Sequence, residues 1–203
     1  MKTKFILAGL IVVASCAMAS AQQAQTVRLS GTIAKVEGTS MMLKLSSGED
    51  AKLSLAPNAQ IVAVVKASMA DIKDNTFLGS AAIPQPDGSQ KALEVHIFPE
   101  AMRGTGEGHR PYAPVPNSTM TNGSAAGATV TGVDGSTITV KYKDGEKKLL
   151  VTPQTVVVTY EMGKREEIQP GTRIFIGAAK KQADGTLQTP RITYGRNGEG
   201  PAF

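Results

Sequence analysis

Apolar and polar residues in this chain alternate over short stretches, with no long apolar stripe at helical spacing. Lys52-Leu53-Ser54-Leu55 alternates strictly, and Ile138, Val140 and Tyr142 share one face opposite Thr139, Lys141 and Lys143. A period of two marks a strand with one buried face. Residues 27–36 form one such run, ending at Glu37-Gly38, and residues 41–45 form a second, ending at Ser47-Gly48. A third covers 52–55, breaks at Pro57-Asn58 and resumes over 60–65. Ser68-Met69-Ala70-Asp71 then reads as a helix start, with Ser68 as N-cap and Asp71 in the first turn, closing near Asn75. Residues 76–83 and 92–98 are two further strands, joined by the hairpin signal Pro86-Asp87-Gly88-Ser89.

The same order recurs after residue 127. Val133-Asp134-Gly135-Ser136 answers Val36-Glu37-Gly38-Thr39, and Asp144-Gly145 answers Ser47-Gly48. Pro153 answers Pro57, Glu167-Ile168 answers Asp71-Ile72, and Asp184-Gly185-Thr186 answers Asp87-Gly88-Ser89. The offset stays at 96 to 97 residues, so the chain is a duplication. Each copy reads as three strands, a short helical turn and two strands, the order of the OB-fold. The predicted class is all-β with short helices, as two tandem five-stranded OB-fold-like barrels. The predicted division is a signal peptide at 1–21, a first barrel at 22–100, a Gly/Pro-rich linker loop at 101–127, a second barrel at 128–198 and a tail at 199–203.

The repeat carries Gly-x-Ile-x-x-Val-[acidic]-Gly, then a Gly turn, then [Asp/Glu]-Ile-x-x-[Gly/Asn]-Thr, then Asp-Gly. In this it resembles a family of small OB-like repeats in bacterial exported proteins, a domain of unknown function. The stretch His96-Ile97-Phe98-Pro99-Glu100-Ala101-Met102-Arg103-Gly104-Thr105-Gly106-Glu107-Gly108-His109-Arg110-Pro111 resembles a signature of its proteobacterial periplasmic members. The resemblance implies a fold and a compartment, and no chemistry.

Composition agrees with export. Lys2 and Lys4 precede an apolar run over 5–15, too short to span a bilayer, and Ala19-Ser20-Ala21 is an A-x-A cleavage site. These predict a soluble periplasmic or secreted protein with no transmembrane helix after signal removal. Val13-Ala14-Ser15-Cys16 loosely matches a lipobox, which gives a minority reading of lipid anchoring through Cys16. Cys16 is the only cysteine, so cleavage after Ala21 removes any disulfide or thiolate metal site.

Candidate chemistry is sparse. The glycine-alternating loop from Arg103 to Arg110 could present backbone N–H groups to an anion, with Arg103 and Arg110 adding charge-assisted bonds. Pro111, Pro114 and Pro116 follow, so no helix opens from the loop, and an extended linker is the competing reading. Arg103, Glu107, His109 and Arg110 are the candidate ligand-binding residues. His109, Glu107 and His96 are the weaker candidates for a divalent metal such as Zn²⁺ or Cu²⁺. On alternation His96 shares a face with Glu94 and Phe98, opposite Val95 and Ile97, and is expected at the barrel surface. No Gly-x-Ser-x-Gly elbow exists, and no catalytic residues or confident cofactor emerge. The absence of Trp and the scarcity of aromatics argue against a nucleic-acid platform. The sequence therefore predicts a non-enzymatic binding or interaction protein, its partner a small ligand, an ion or an envelope protein. The alternatives are a metal-handling accessory protein using His109 and Glu107, and a protein–protein scaffold.

Overall fold

A computed structural model describes residues 26–130 and 135–198, with side chains at 26–127 and 135–198. The expected signal peptide, Cys16, the repeat match at Val133-Asp134 and the tail lie outside the described residues. Among the described residues no helix is long and apolar enough to cross a membrane.

The protein is all-β. Strands β1 (Thr26–Glu37), β2 (Ser40–Leu45) and β3 (Asp50–Lys66) lead to a 3₁₀ turn at Met69–Asp71, followed by β4 (Phe77–Pro84) and β5 (Gln90–Ile97). After β6 (Gly108–Pro111), the second copy supplies β7 (Thr119–Val130), β8 (Ser136–Tyr142), β9 (Gly145–Val151) and β10 (Val156–Met162). A 3₁₀ turn at Arg165–Glu167 precedes β11 (Arg173–Lys181) and β12 (Leu187–Gly195). The loop expected over 101–127 is shorter than predicted, because β6 and the first half of β7 pair within it.

The expected turns form for the expected reasons. Asp71 accepts from the Ser68 backbone N–H at 2.8 Å and from its hydroxyl at 3.0 Å. At the equivalent turn Glu167 accepts from the Lys164 N–H at 2.7 Å. Both 3₁₀ turns drop one isoleucine, Ile72 and Ile168, into a core.

Strand closure differs from one barrel per repeat. In the first copy, β1 pairs with β2 and β2 with β3. The ring is then closed by the second copy: β3 runs parallel to β12, β12 antiparallel to β11, and β11 antiparallel to β1. The result is a closed five-stranded barrel. Conversely, β7, β8 and β9 pair in order, and β4 and β5 of the first copy complete a circuit by pairing with β7 and β9. Each copy has donated its turn and last two strands to the other. The offset register of the sequence fixes which strands are equivalent, but alternation says only which face is buried, not which copy supplies the neighbour.

Two cores follow from this exchange. One joins Ile33, Leu43 and Leu53 of the first copy to Ile174, Ile176 and Ile192 of the second. The other joins Leu78 and Val95 of the first copy to Ile138, Val140 and Leu149 of the second. The circuits meet where the far half of β3 pairs antiparallel with β10. These are equivalent segments of the two copies, and the pair at the centre, Val64 and Tyr160, is itself equivalent. The junction therefore has local twofold symmetry.

The two copies accommodate their equivalent prolines differently. Pro153 ends β9 and a turn separates it from β10. Pro57 sits inside the single long strand β3, at a bulge where the register against β12 shifts between Thr189 and Arg191. A bulge leaves the proline nitrogen out of the ladder, so the strand continues.

Candidate functional site

A cavity of about 280 Å³ opens at the junction of the two circuits. Its wall takes Arg28 from β1, Phe175 from β11 and Arg191 from β12 on one side. On the other it takes His96 from β5, Asn122 from β7 and Tyr160 from β10. The segment after β5 covers it, with Phe98, Met102, Thr105, Arg110 and Tyr112 all contributing. A larger cleft of about 590 Å³ runs past Pro170, Arg173 and Arg196, with Arg196 Nε held 2.8 Å from Glu167 Oε1.

His96 is not at the surface. It is 3 % exposed and Glu94 is 1 % exposed. The alternation was read correctly, since Val95 faces the second core. The opposite face of β5 is buried as well, because the other circuit and the covering loop lie over it. His96 Nε2 stands 2.7 Å from Glu94 Oε1, and His96 Nδ1 is 2.7 Å from the Tyr160 hydroxyl. The Tyr160 hydroxyl thus fixes the imidazole at Nδ1, with the Glu94 carboxylate beside Nε2. The Tyr160 ring stacks on Phe98 with centroids 5.4 Å apart and on His96 at 5.7 Å, so the chain Glu94–His96–Tyr160 is held rigid from behind.

Burial costs this arrangement. Among the described residues both Glu94 carboxylate oxygens, Asn122 Oδ1 and Arg165 Nη1 are buried with no hydrogen-bond partner. Native proteins leave few such groups, and those that persist tend to mark a site. Asn122 is 5 % exposed and its amide donates to the Thr105 carbonyl at 2.9 Å, which fixes the amide orientation and leaves Oδ1 unpaired. Gly79 makes room for it, since a Cβ there would stand 2.6 Å from Asn122 Oδ1.

The electrostatics of the mouth are cationic. Arg28, Arg110 and Arg191 are exposed at its edge, and no Asp or Glu lines it. Arg191 donates twice to Gln60 Oε1, at 3.0 and 2.6 Å, and Arg110 donates to the Gly106 carbonyl at 2.7 Å. Both partners are neutral, so the guanidinium groups are oriented without being neutralised. Burial, then the Glu94 carboxylate, push the phenols of Tyr160 and Tyr112 above the ordinary range. Arg191 acting on Tyr160, and Arg28 and Arg110 on Tyr112, oppose that shift.

The residues proposed from the Arg103–Arg110 loop separate into different roles. Arg110 reaches the cavity. Arg103 pairs with Glu100 at 2.6 Å, donates to the Asn75 carbonyl at 3.0 Å and lies over the Phe77 ring. Glu107 accepts from the Lys143 backbone N–H at 3.0 Å. His109 Nδ1 is 2.8 Å from the Thr121 hydroxyl and its ring stacks on Tyr142. Burial and Lys147 lower the His109 pKa. The loop is therefore tied into the second circuit at several points. Among the described residues no three His, Cys, Asp or Glu side chains gather as metal ligands.

Sequence reasoning missed Tyr112, Asn122, Tyr160, Arg28 and Arg191 as site residues. One signal pointed toward them. Ile61-Val62-Ala63-Val64-Val65 is apolar on both faces, which marks a strand covered on both sides. Searches against protein-family models, curated proteins and solved structures find no match for this chain.

Proposed function

We propose that this is a non-enzymatic binding protein of the bacterial periplasm that holds a small ligand in the cavity between its two exchanged circuits. The observation that carries the reading is the buried chain Glu94–His96–Tyr160, which ends in an oriented hydroxyl on the cavity wall. Cavities that join apolar walls to a few fixed polar groups are the usual form of small-molecule sites. Two further features favour binding here. The loop 98–112 covers the cavity, and Gly79 lets the Asn122 side chain pack against β4 at its wall. Export is supported by the N-terminal pattern of Lys2, Lys4, the apolar run and Ala19-Ser20-Ala21.

Native mass spectrometry of the protein purified gently from its own periplasm tests the reading. The expected spectrum contains a bound small molecule, and Tyr160→Phe lowers its occupancy without lowering the melting temperature by more than a few degrees. A bare mass in the unaltered protein, at the end of a purification without dialysis, would contradict it.

A further inference from the structure

Resting on that reading, we infer that the ligand is a small planar anion bearing at least one hydrogen-bond donor, such as an aromatic hydroxy acid. The anionic group is assigned by Arg28, Arg110 and Arg191. They reach one mouth from three separate strands, no Asp or Glu lines that mouth, and no carboxylate pairs with any of the three among the described residues. Guanidinium forks match carboxylate, sulfonate or phosphate oxygens and bind them by charge-assisted hydrogen bonds. Because Gln60 and the Gly106 carbonyl already orient two of them, little side-chain freedom is lost on binding.

The donor is assigned by the cavity interior. Tyr160 lines the cavity with its hydroxyl held 2.7 Å from His96 Nδ1. Whichever partner donates in that bond, the phenol oxygen keeps a lone pair for a ligand O–H or N–H. The flat body is assigned by Phe98, Phe175 and the Tyr160 ring, with Met102 and Met120 filling around it. At about 280 Å³ the space suits one aromatic ring with its substituents rather than a nucleotide or a peptide. Glu94 is one layer behind the wall, held at 2.7 Å from His96, and does not face the anion directly.

A matched set of one-ring probes separates the possibilities: 4-hydroxybenzoate, benzoate, 4-hydroxybenzyl alcohol and tyramine. Binding to the full chain is followed by saturation-transfer NMR and calorimetry. The expected order is 4-hydroxybenzoate, then benzoate, then the neutral alcohol, with tyramine weakest. Arg28→Gln and Arg191→Gln should each weaken 4-hydroxybenzoate by about tenfold. Raising the salt should weaken it further. Tyr160→Phe should erase the advantage of 4-hydroxybenzoate over benzoate, and a matching thermal melt shows that the variant is folded. Equal binding of the alcohol or tyramine, or an anion preference that survives both arginine variants, overturns the inference and leaves a binding site of other specificity. Failure of all four probes at millimolar concentration also overturns the inference, and the binding reading falls with it only where the native mass is bare as well.

Discussion

The two strand circuits are built from equivalent parts, yet they close differently. In the first, β12 runs alongside β3 for most of both strands, from Leu187–Leu53 to Gly195–Val64. In the second, the equivalent seam between β5 and β9 holds only at Gln90–Leu149 and Lys91–Leu150, after which β5 moves to β10. The equivalent prolines are accommodated differently, Pro153 in a turn after β9 and Pro57 within β3. The cavity wall diverges in the same way. Arg191 and Thr193 on β12 correspond to Glu94 and His96 on β5, and Phe175 corresponds to Gly79. A duplicated surface placed against itself gives a twofold cleft. Divergence has made one side cationic and large, and the other side a buried acid–imidazole pair with a glycine gap. The first circuit thus reads as the continuous scaffold, and the second as the one altered to carry chemistry.

Separating the halves breaks this comparison most completely. Residues 22–103 and 104–203, expressed apart, should each be unfolded by circular dichroism, because neither contains the strands that close its own ring. Mixed in equal amounts, they should regain the β spectrum. A half that folds alone with the melting temperature of the whole chain would sink the exchange.

Replacing His96 by Leu should cost about 3–5 kcal/mol in chemical denaturation, since Glu94 is then a buried carboxylate without its partner. The same measurement on Glu94→Leu combined with His96→Leu should recover much of that loss, because two apolar residues in place of a buried pair are close to neutral. The equivalent change on the other side, Thr193→Val, should stay within about 1 kcal/mol. That contrast is the energetic form of the divergence.

Leu53→Ala and Leu149→Ala empty equivalent positions in the two cores, both fully buried. Each should cost about 2–5 kcal/mol. Because strands are shared, both variants should shift a single calorimetric transition. Two resolved transitions, with only one moving per variant, would show circuits that fold independently.

The smallest effect is a pH dependence at the first circuit's flank. The Arg196 guanidinium, with the Tyr194 hydroxyl and the Lys164 N–H, holds the Glu167 carboxyl at about 2 against an ordinary 4.5. A depressed carboxyl stabilises the fold above its unfolded value and loses that contribution as pH falls through the folded one. Acid titration should therefore lower the melting temperature between about pH 4.5 and 2, and Arg196→Met should flatten that slope. An unchanged slope in the variant would remove Glu167 as its source.

Much of this was legible in the sequence and some was not. The strands, the Ser68–Asp71 turn and the Asp87-Gly88 and Asp184-Gly185 hairpins are local, written in alternation and turn chemistry. The partner of each strand is not local. Leu78 looks the same whether it packs on β1 of its own copy or on β7 of the other. Only the junction decides, where the chain passes along β3 instead of turning back. His96 was misplaced for the same reason. Alternation gave its face correctly, but not that a second circuit covers that face. Arg28 and Arg191 were invisible as a pair because they are far apart in sequence and meet only through the exchange.

The most direct measurement is backbone NMR of the full chain, through nuclear Overhauser contacts between paired strands. The exchanged fold predicts contacts from Gly31 to Ile174 and from Leu78 to Gly123. Contacts from Gly31 to Leu78 instead, with none to Ile174, would mean that each copy closes its own barrel, and would remove the junction cavity together with the function built on it.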